Sequence, residues 1–548
     1  MAKRNKGINL FRHVPQANNP VTNFNMSHDV KFDGDFGKLY PIFVQEVLSG
    51  DTWRCKANHF SRLAPMIAPV LHEFDVRFHW FYVPMRLLWD DFEDWMTGGK
   101  TGTWREDNPD SFPVFNPRDI FQYSVDFIGS VFDFMGFSTS ADKVGGSVEL
   151  NGNNKLPVMP LRGYGLIYDY FFRDQNVQDS IEVPTTSGYS FPSFLYKNAT
   201  KGIYKVAWDK DYFTSATLSP QRGPQVYIPL GANAPVIPVD SSDAQVFVNG
   251  GINNSTGSTV VPVTLSATKD NEGYSRIQAN GQNTTLKGYV NNLQVDLSES
   301  SGAAVDDVRE AFALQRFFER MQVVGSRFSE WLRGIWGTNA GDARLQMPEY
   351  LGTWTNPFMI NNVSNTTGTQ DNPQGGYAGN GMASNYNPEI VKYFSEPGYL
   401  YCLYVAMPRN GYQQGLAPIF CRKDWLDFAN PYFEHIGEQP IQMKELYFDA
   451  SKDDSVNSEI FGYQSQYANY KFIASHSHGQ FKTSLNFWHA NRIFDSKPTL
   501  STEFISYNPD ESTDRVFVLE NESKFYTLVN FVCSVDRQLS AFSTPRLI

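Results

Sequence analysis

Cysteine is scarce and scattered in this sequence. The 548 residues contain four, at 55, 402, 421 and 533, with no CxxC or other close pair. That spacing argues against zinc ribbons and small disulfide frameworks. It favours buried thiols in a reducing compartment. Long apolar runs are missing as well. The longest candidate, Tyr399 to Met407, stops at Pro408, far short of the ~20 residues that span a bilayer, so membrane insertion is not expected. Positive charge is also in deficit, with 46 Lys and Arg against 58 Asp and Glu, a net charge of −12. Coating nucleic acid uniformly requires clustered cations, so the surface as a whole is unsuited to it, although one basic patch is not excluded. The opening residues Met1-Ala2-Lys3-Arg4-Asn5-Lys6-Gly7 are basic, but no apolar segment follows to make a secretory signal. A soluble protein made in the cytoplasm is expected.

Catalytic and ligand-binding motifs are equally hard to find. Gly98-Gly99-Lys100-Thr101 imitates the end of a phosphate-cradling loop, yet Asp94 stands where that loop needs its first glycine. A helix-ending turn is the better reading. Gly163-Tyr164-Gly165 lacks the third glycine of a dinucleotide fingerprint, with Tyr168 in its place. His72-Glu73 opens like a zinc-protease helix, but Val76 replaces the second histidine. His476 and His478 share one side of an extended segment and His489 follows, but no carboxylate or thiol lies close by in sequence. Asp90, Asp91, Glu93 and Asp94 read as a solvated helix face. No GxSxG elbow occurs. The sequence therefore nominates no catalytic residue, metal ligand or cofactor.

Aromatic residues, by contrast, are plentiful: 43 Phe, 28 Tyr and 11 Trp, or 15% of the chain. Such side chains bury much area at little entropic cost and enrich both cores and subunit interfaces. The pattern is mainly β. Trp53, Cys55 and Ala57 alternate with polar neighbours, and Phe74 to Trp80 alternates with Asp75, Arg77 and His79 placed outward. Phe525, Thr527, Val529, Phe531, Cys533 and Val535 form one face near the far end. Strands at both ends with much chain between predict a β-sandwich closed by long-range pairing, the layout of a jelly roll. Helical periodicity is predicted over Arg86–Met96 and more clearly over about Ala303–Arg333, where Gly325 divides it and Gly334 ends it. Residues 1–36 read as a basic, polar arm. Residues 37–180 read as the first part of the core, 181–300 as a proline-broken and then Gly, Asn, Ser and Thr-rich surface excursion, and 301–548 as a helix-rich insertion plus the rest of the core.

Lys3, Arg4, Lys6 and Arg12 form a dense positive cluster in an acidic chain. The residues alone leave two readings equally weighted, phosphate contact by a tail or an ordinary soluble terminus. Several blocks then carry a family resemblance. They are Leu39-Tyr40-Pro41-Ile42-Phe43-Val44-Gln45-Glu46-Val47-Leu48-Ser49-Gly50-Asp51-Thr52, the run Phe81-Tyr82-Val83-Pro84-Met85-Arg86, Leu161-Arg162-Gly163-Tyr164, and Phe172-Arg173-Asp174-Gln175-Asn176. Further on come Asp342-Ala343-Arg344-Leu345-Gln346, Pro348-Glu349-Tyr350-Leu351-Gly352, Tyr412-Gln413-Gln414-Gly415-Leu416, His435-Ile436-Gly437-Glu438-Gln439 and Phe461-Gly462-Tyr463-Gln464. In content and order the chain resembles the major capsid proteins of microviruses, in their gokushovirus branch. Only residues 180–300 match nothing.

The resemblance implies an eight-stranded viral jelly roll with long inserted loops and several helices. It implies sixty copies in a T=1 shell around a circular single-stranded DNA genome, within a virion assembled in a bacterial cytoplasm. It also implies that the insertion meets its symmetry mates at threefold axes as a protrusion. Host attachment is expected there, with Asn249, Asn254, Thr256, Asn280, Gln282 and Asn291 as candidates, against a host surface receptor. Sixty copies at −12 each carry −720, so such a shell cannot neutralise its genome in bulk. A small basic internal protein or polyamines are the expected partners, with the Lys3 to Arg12 arm making local DNA contacts. The competing readings are a receptor-binding spike, which would more often carry repeats or a fibrous segment, and a shell with hydrolase activity, for which no residue is nominated.

Overall fold

The computed structural model describes residues 19–97, 112–117, 124–125, 128–137, 148–149, 153–224, 226, 305–324, 346–364, 366, 374–519 and 522–542. It also describes strand segments at 236–238, 246–248, 265–269, 275–279, 288–290 and 293–295. The chain divides into two compact units, Met1–Pro220 with Val324–Ile548, and Gln221–Val323.

Two-residue periodicity builds the first unit. Among the described residues its strands longer than two residues are β1 (Thr22–Asn25), β2 (His28–Gly34), β3 (Tyr40–Val47), β4 (Thr52–Leu63), β5 (Phe74–Pro84), β6 (Glu349–Pro357), β7 (Met359–Ser364), β8 (Tyr377–Asn385), β9 (Ile390–Tyr393), β10 (Gly398–Pro408), β11 (Glu438–Gln442), β12 (Ile460–Ser465) and β13 (Phe525–Arg537). One antiparallel sheet has β13 at its centre, pairing with β1 and β2 on one side and β4 on the other; β4 pairs in turn with β8 and β9, and β8 with β7. The second runs β6-β5-β10-β3. In the long β4–β13 ladder Cys55 stands opposite Cys533, His59 opposite Val529 and Leu63 opposite Phe525. The fold is thus mainly β, with antiparallel sheets and a few helices.

The alternation at both ends of the chain tells which faces meet. Trp53, Cys55, Ala57 and, on β13, Phe531, Cys533 and Val535 all turn inward and are buried. From the opposite sheet Phe43 meets Trp53 at 6.3 Å and Phe531 at 5.0 Å between ring centroids. Tyr404 packs on Phe525 at 5.3 Å, and its hydroxyl lies 3.2 Å from Thr527 Oγ1. All four cysteines are free and buried.

The second sheet is covered on its other face too. Helix α2 (Met159–Ile167), preceded in the chain by the short α1 (Phe92–Thr97), lies over β10: Tyr401 donates its hydroxyl to Pro160 O at 2.9 Å. Gly163 makes this approach possible, since a Cβ there would lie 2.1 Å from the Tyr401 oxygen. Gly165 does the same against Phe194. The turn after α2 sets Phe171 on Phe81 and Phe172 on His79. As a result β10 is buried at all its positions, which explains why Tyr399 to Met407 reads as a continuous apolar run instead of alternating. It also corrects the outward placement of Asp75, Arg77 and His79. Asp75 is only 4% exposed, and Arg77 makes paired 2.6 Å bonds to Asp209.

Three other expectations need correction. The expected arm already contains β1 and β2, where Phe24, Val30 and Phe32 alternate beneath the polar letters and Phe32 packs on Tyr404 at 5.0 Å. The helix expected over Arg86–Met96 is instead a turn at Met85–Leu87 followed by α1 at Phe92–Thr97. Asp90 and Asp91 lie between them and accept hydrogen bonds from Thr185 and Ser187, tying that stretch to a neighbouring segment. Residues 181–220 are not excursion in their packing: Phe194, Leu195, Ile203, Tyr204 and Trp208 belong to the main core, and the second unit starts at Gln221.

A second core gathers Tyr212, Phe213, Phe461, Phe494, Phe504 and Ile505 against the β11–β12 hairpin. The second unit contains three nested antiparallel pairs, 236–238 with 293–295, 246–248 with 288–290, and 265–269 with 275–279. It also contains all but the last residue of helix α3 (Val305–Val324), which lies inside the span expected for the long helix. Gly325 and Gly334 fall outside the described residues.

Candidate interaction surfaces

The candidates singled out in the sequence fare differently. Lys3, Arg4, Lys6 and Arg12 lie outside the described residues, as do Asn249, Asn254, Thr256, Asn280, Gln282 and Asn291, and Gly98 to Thr101. His72 and Glu73 precede β5 rather than sitting in it, and His72 Nε2 lies 2.9 Å from Arg409 O. His489 is tied to the backbone at both nitrogens: Nδ1 accepts from Asn491 N at 3.2 Å, and Nε2 lies 2.8 Å from Phe481 O. Burial lowers its pKa, and the bond to Phe481 O only partly opposes that. His476 and His478 stand edge to face at 4.6 Å. Among the described residues no three His, Cys, Asp or Glu are placed to hold a metal ion, and no helix is long and apolar enough to cross a membrane.

What the described surface does offer is unusual apolar exposure. An antiparallel sheet with one face in water normally turns polar side chains to that face. Here the outer face of the first sheet presents Phe60, Tyr526, Leu528, Val532, Val391 and Tyr393. The register sets Leu528 opposite Phe60, while Tyr526 faces Arg62, Val532 faces Lys56 and Val391 faces Arg54, so the apolar side chains are interleaved with cations. Several cations on this face have partners in place. Arg62 lies over the Phe60 ring at 5.1 Å, Lys56 reaches Glu389 at 4.0 Å, and Arg54 bonds Asp536 at 2.7 Å. Hydrogen bonds from Asn23 and Arg54 hold the Asp536 carboxyl below its ordinary range.

A second apolar surface is built quite differently. Between β10 and β11 the chain makes three single 3-10 turns, Pro418–Phe420, Trp425–Asp427 and Pro431–Phe433. Polar side chains that would ordinarily face water are turned onto the backbone. Asp424 accepts from Trp425 N at 2.6 Å, Asp427 from Lys423 N at 2.7 Å and Asp424 N at 2.9 Å, and Asn430 from Tyr432 N at 3.1 Å. Arg422 lies 4.0 Å over the Tyr470 ring and 5.7 Å over Phe428. The Tyr470 hydroxyl accepts from Ala429 N at 3.3 Å. With the polar groups occupied in this way, the large apolar ones point out: Tyr432 is 92% exposed, Phe420 73% and Trp425 64%. Sequence reasoning missed this surface because its aromatic residues read as core. The available signal was proline, Asp and Asn caps interleaved with aromatics too closely for a strand or a helix.

Large apolar side chains exposed together in this way mark surfaces that another molecule can cover. Comparison with known proteins gives the context. Residues 12–547 match the family described as capsid protein (F protein). The capsid protein VP1 of Chlamydia phage 1 is 31% identical over 598 aligned residues, covering 98% of both chains. That of Bdellovibrio phage phiMH2K is 32% identical over 513 residues, covering 91% of this chain and 90% of its own. That of Spiroplasma virus 4 is 26% identical over 575 residues, covering all of this chain and 99% of its own.

Proposed function

This chain belongs to the phage capsid protein (F protein) family, so it is a structural virion protein and not an enzyme, and from that premise we propose that sixty copies close into a T=1 shell around circular single-stranded DNA. The observation that carries the proposal is the match of residues 12–547 to that family, and the apolar side chains exposed among charges on the outer face of the first sheet are a surface such a shell would cover. Shell proteins work through many modest interfaces repeated by symmetry. Each subunit is held on several sides at once, so individually weak contacts still give a durable particle.

The eight-stranded viral jelly roll is the fold we assign to this block. Eight strand positions follow in chain order if β1 with β2 counts as the first, β7 to β9 as the sixth, and the separate β11–β12 pair is left out. One sheet then runs first-eighth-third-sixth and the other second-seventh-fourth-fifth. That interleaving is what two Greek keys wrapped on each other produce. Electron microscopy of native particles tests the shell directly. Closed particles of one size with sixty equivalent densities are expected; helical or open assemblies would refute it.

DNA contact is assigned to the basic arm at Lys3, Arg4, Lys6 and Arg12. Phosphate neutralisation by a few cations fits a local role, while the net charge of −12 per copy leaves bulk neutralisation to a small basic protein or polyamines. Virions holding DNA but neither of those would overturn this. Host attachment is assigned to the insertion near residues 225–298, in line with its Gly, Asn, Ser and Thr-rich composition and its separate compact unit. Deleting it should spare shell formation and abolish adsorption.

A further inference from the structure

We propose that the tied aromatic turns at 417–436 are an anchor by which one copy of this chain docks on another. The inference rests on the capsid reading and deepens it by naming a working surface and its occupant. Three observations choose a second copy.

The first is preorganisation. Asp424, Asp427 and Asn430 hold the backbone, and Arg422 is clamped against Tyr470. Phe420, Trp425 and Tyr432 are therefore presented by a backbone that is fixed before binding, which reduces the ordering cost of association. Exposed Trp and Tyr set in this way are the residues that dominate interface energies.

The second is charge. Each copy carries −12 and repels its neighbours, so copies meet most easily where charge is already balanced. Around these turns Lys423 pairs with Asp454, and Lys471 pairs with Glu434 at 3.0 Å. Within 417–436 the two basic residues, Arg422 and Lys423, are outnumbered by Asp424, Asp427 and Glu434. Phosphate-bearing partners, whether nucleic acid or an anionic lipid surface, are disfavoured by that excess.

The third is size. Ile419, Phe420, Trp425, Phe428, Tyr432 and Ile436 are each exposed over more than half their surface. At roughly 150–250 Å² for an aromatic side chain, together they offer on the order of 600 Å². A specific interface takes roughly 800 Å² from each partner.

The test combines side-chain footprinting with substitution. Hydroxyl-radical labelling of Phe420, Trp425 and Tyr432 is measured in purified particles and in dissociated subunits. Protection of tenfold or more in particles is expected; equal labelling overturns the proposal while leaving the shell intact. In parallel F420S/W425S/Y432S should give subunits with an unchanged unfolding midpoint and a particle yield lowered at least a hundredfold, and F420L/W425F/Y432F should restore yield. A serine variant that builds particles at the normal yield overturns the assignment. If the serine variant fails to fold, the labelling of wild-type particles decides alone. If wild-type protein forms no closed particle, the capsid reading itself falls, and this inference with it.

Discussion

Arg492 offers the sharpest test of how the first unit holds together. Its side chain is fully buried. It donates to Glu511 Oε2 from Nε at 3.0 Å and from Nη2 at 2.9 Å, and to Phe504 O at 2.8 Å. The guanidinium carbon lies 4.3 Å from the Phe504 ring centroid, 4.9 Å from Phe494 and 5.1 Å from Trp208. Phe494 and Phe504 belong to the second core and Trp208 to the main one, so this single cation rivets the two. Replacing Arg492 by Met keeps the volume but strands a largely covered carboxylate and the Phe504 carbonyl. Breaking one side of such a pair costs about 3–5 kcal/mol. Removing both partners, as in R492M/E511L, should recover most of that loss, because two apolar groups no longer leave a charge unmatched. Urea unfolding of the four proteins of this cycle, followed by tryptophan fluorescence and far-UV circular dichroism, supplies the numbers. R492M within 1 kcal/mol of wild type, or a double variant as unstable as the single one, would refute the reasoning.

His59 lies inward on β4 at 5% exposure, and burial depresses its pKa from 6.5 to about 4. The unfolded chain therefore takes up the proton first. The stability associated with a neutral His59 is complete above pH 6.5 and is lost as the pH falls from there toward 4. The difference amounts to about 3 kcal/mol at the acid end, so H59F should flatten the acid limb of a stability–pH profile by that order. A profile of unchanged slope between pH 6.5 and 4 would count against it. For G163A, the new methyl meets the Tyr401 hydroxyl, and overpacking of this kind costs about 1–3 kcal/mol. Thermal unfolding should show the loss, and G163A/Y401F should relieve part of it. Removing residues 1–18 ahead of β1 is expected to leave subunit folding and particle formation intact while lowering the DNA content per particle, read by absorbance ratio.

The elements that could be read in the sequence were those buried on one face only. Trp53, Cys55 and Ala57, and the β13 face from Phe525 to Val535, alternate because one side meets the core and the other does not. The reading failed where a second layer intervened. Asp75, Arg77 and His79 look like solvent residues by period, yet Phe172 of the turn after α2 packs on His79, Asp209 binds Arg77 and Arg409 reaches Asp75. It failed again at β1 and β2, whose few apolar residues are diluted by Asn, Asp and Lys, because an edge beside β13 needs only every second side chain to be apolar. The glycines of Gly163-Tyr164-Gly165 could be read only as an incomplete dinucleotide fingerprint. Their use, close approach of helix to strand, requires knowing that Tyr401 lies opposite.

Surfaces that work by association are harder to read for a deeper reason. A core aromatic and an interface aromatic are the same letter, and both are selected to leave water. Phe525 and Phe420 differ only in when they do so, one on folding and the other, by our inference, on assembly. Composition records the sum of both demands, which is why an aromatic content of 15% hinted at assembly without locating it. Location depends on where the polar residues go. At 417–436 the Asp and Asn side chains cap turns from within, so the apolar side chains have nowhere to turn but outward. A turn of that kind is stable in one subunit and becomes useful only when a second subunit arrives. The same argument predicts that capping residues at such sites govern assembly as strongly as the aromatics do. D424A should leave Trp425 exposed but loosely held and slow particle formation, with the midpoint of subunit unfolding nearly unmoved.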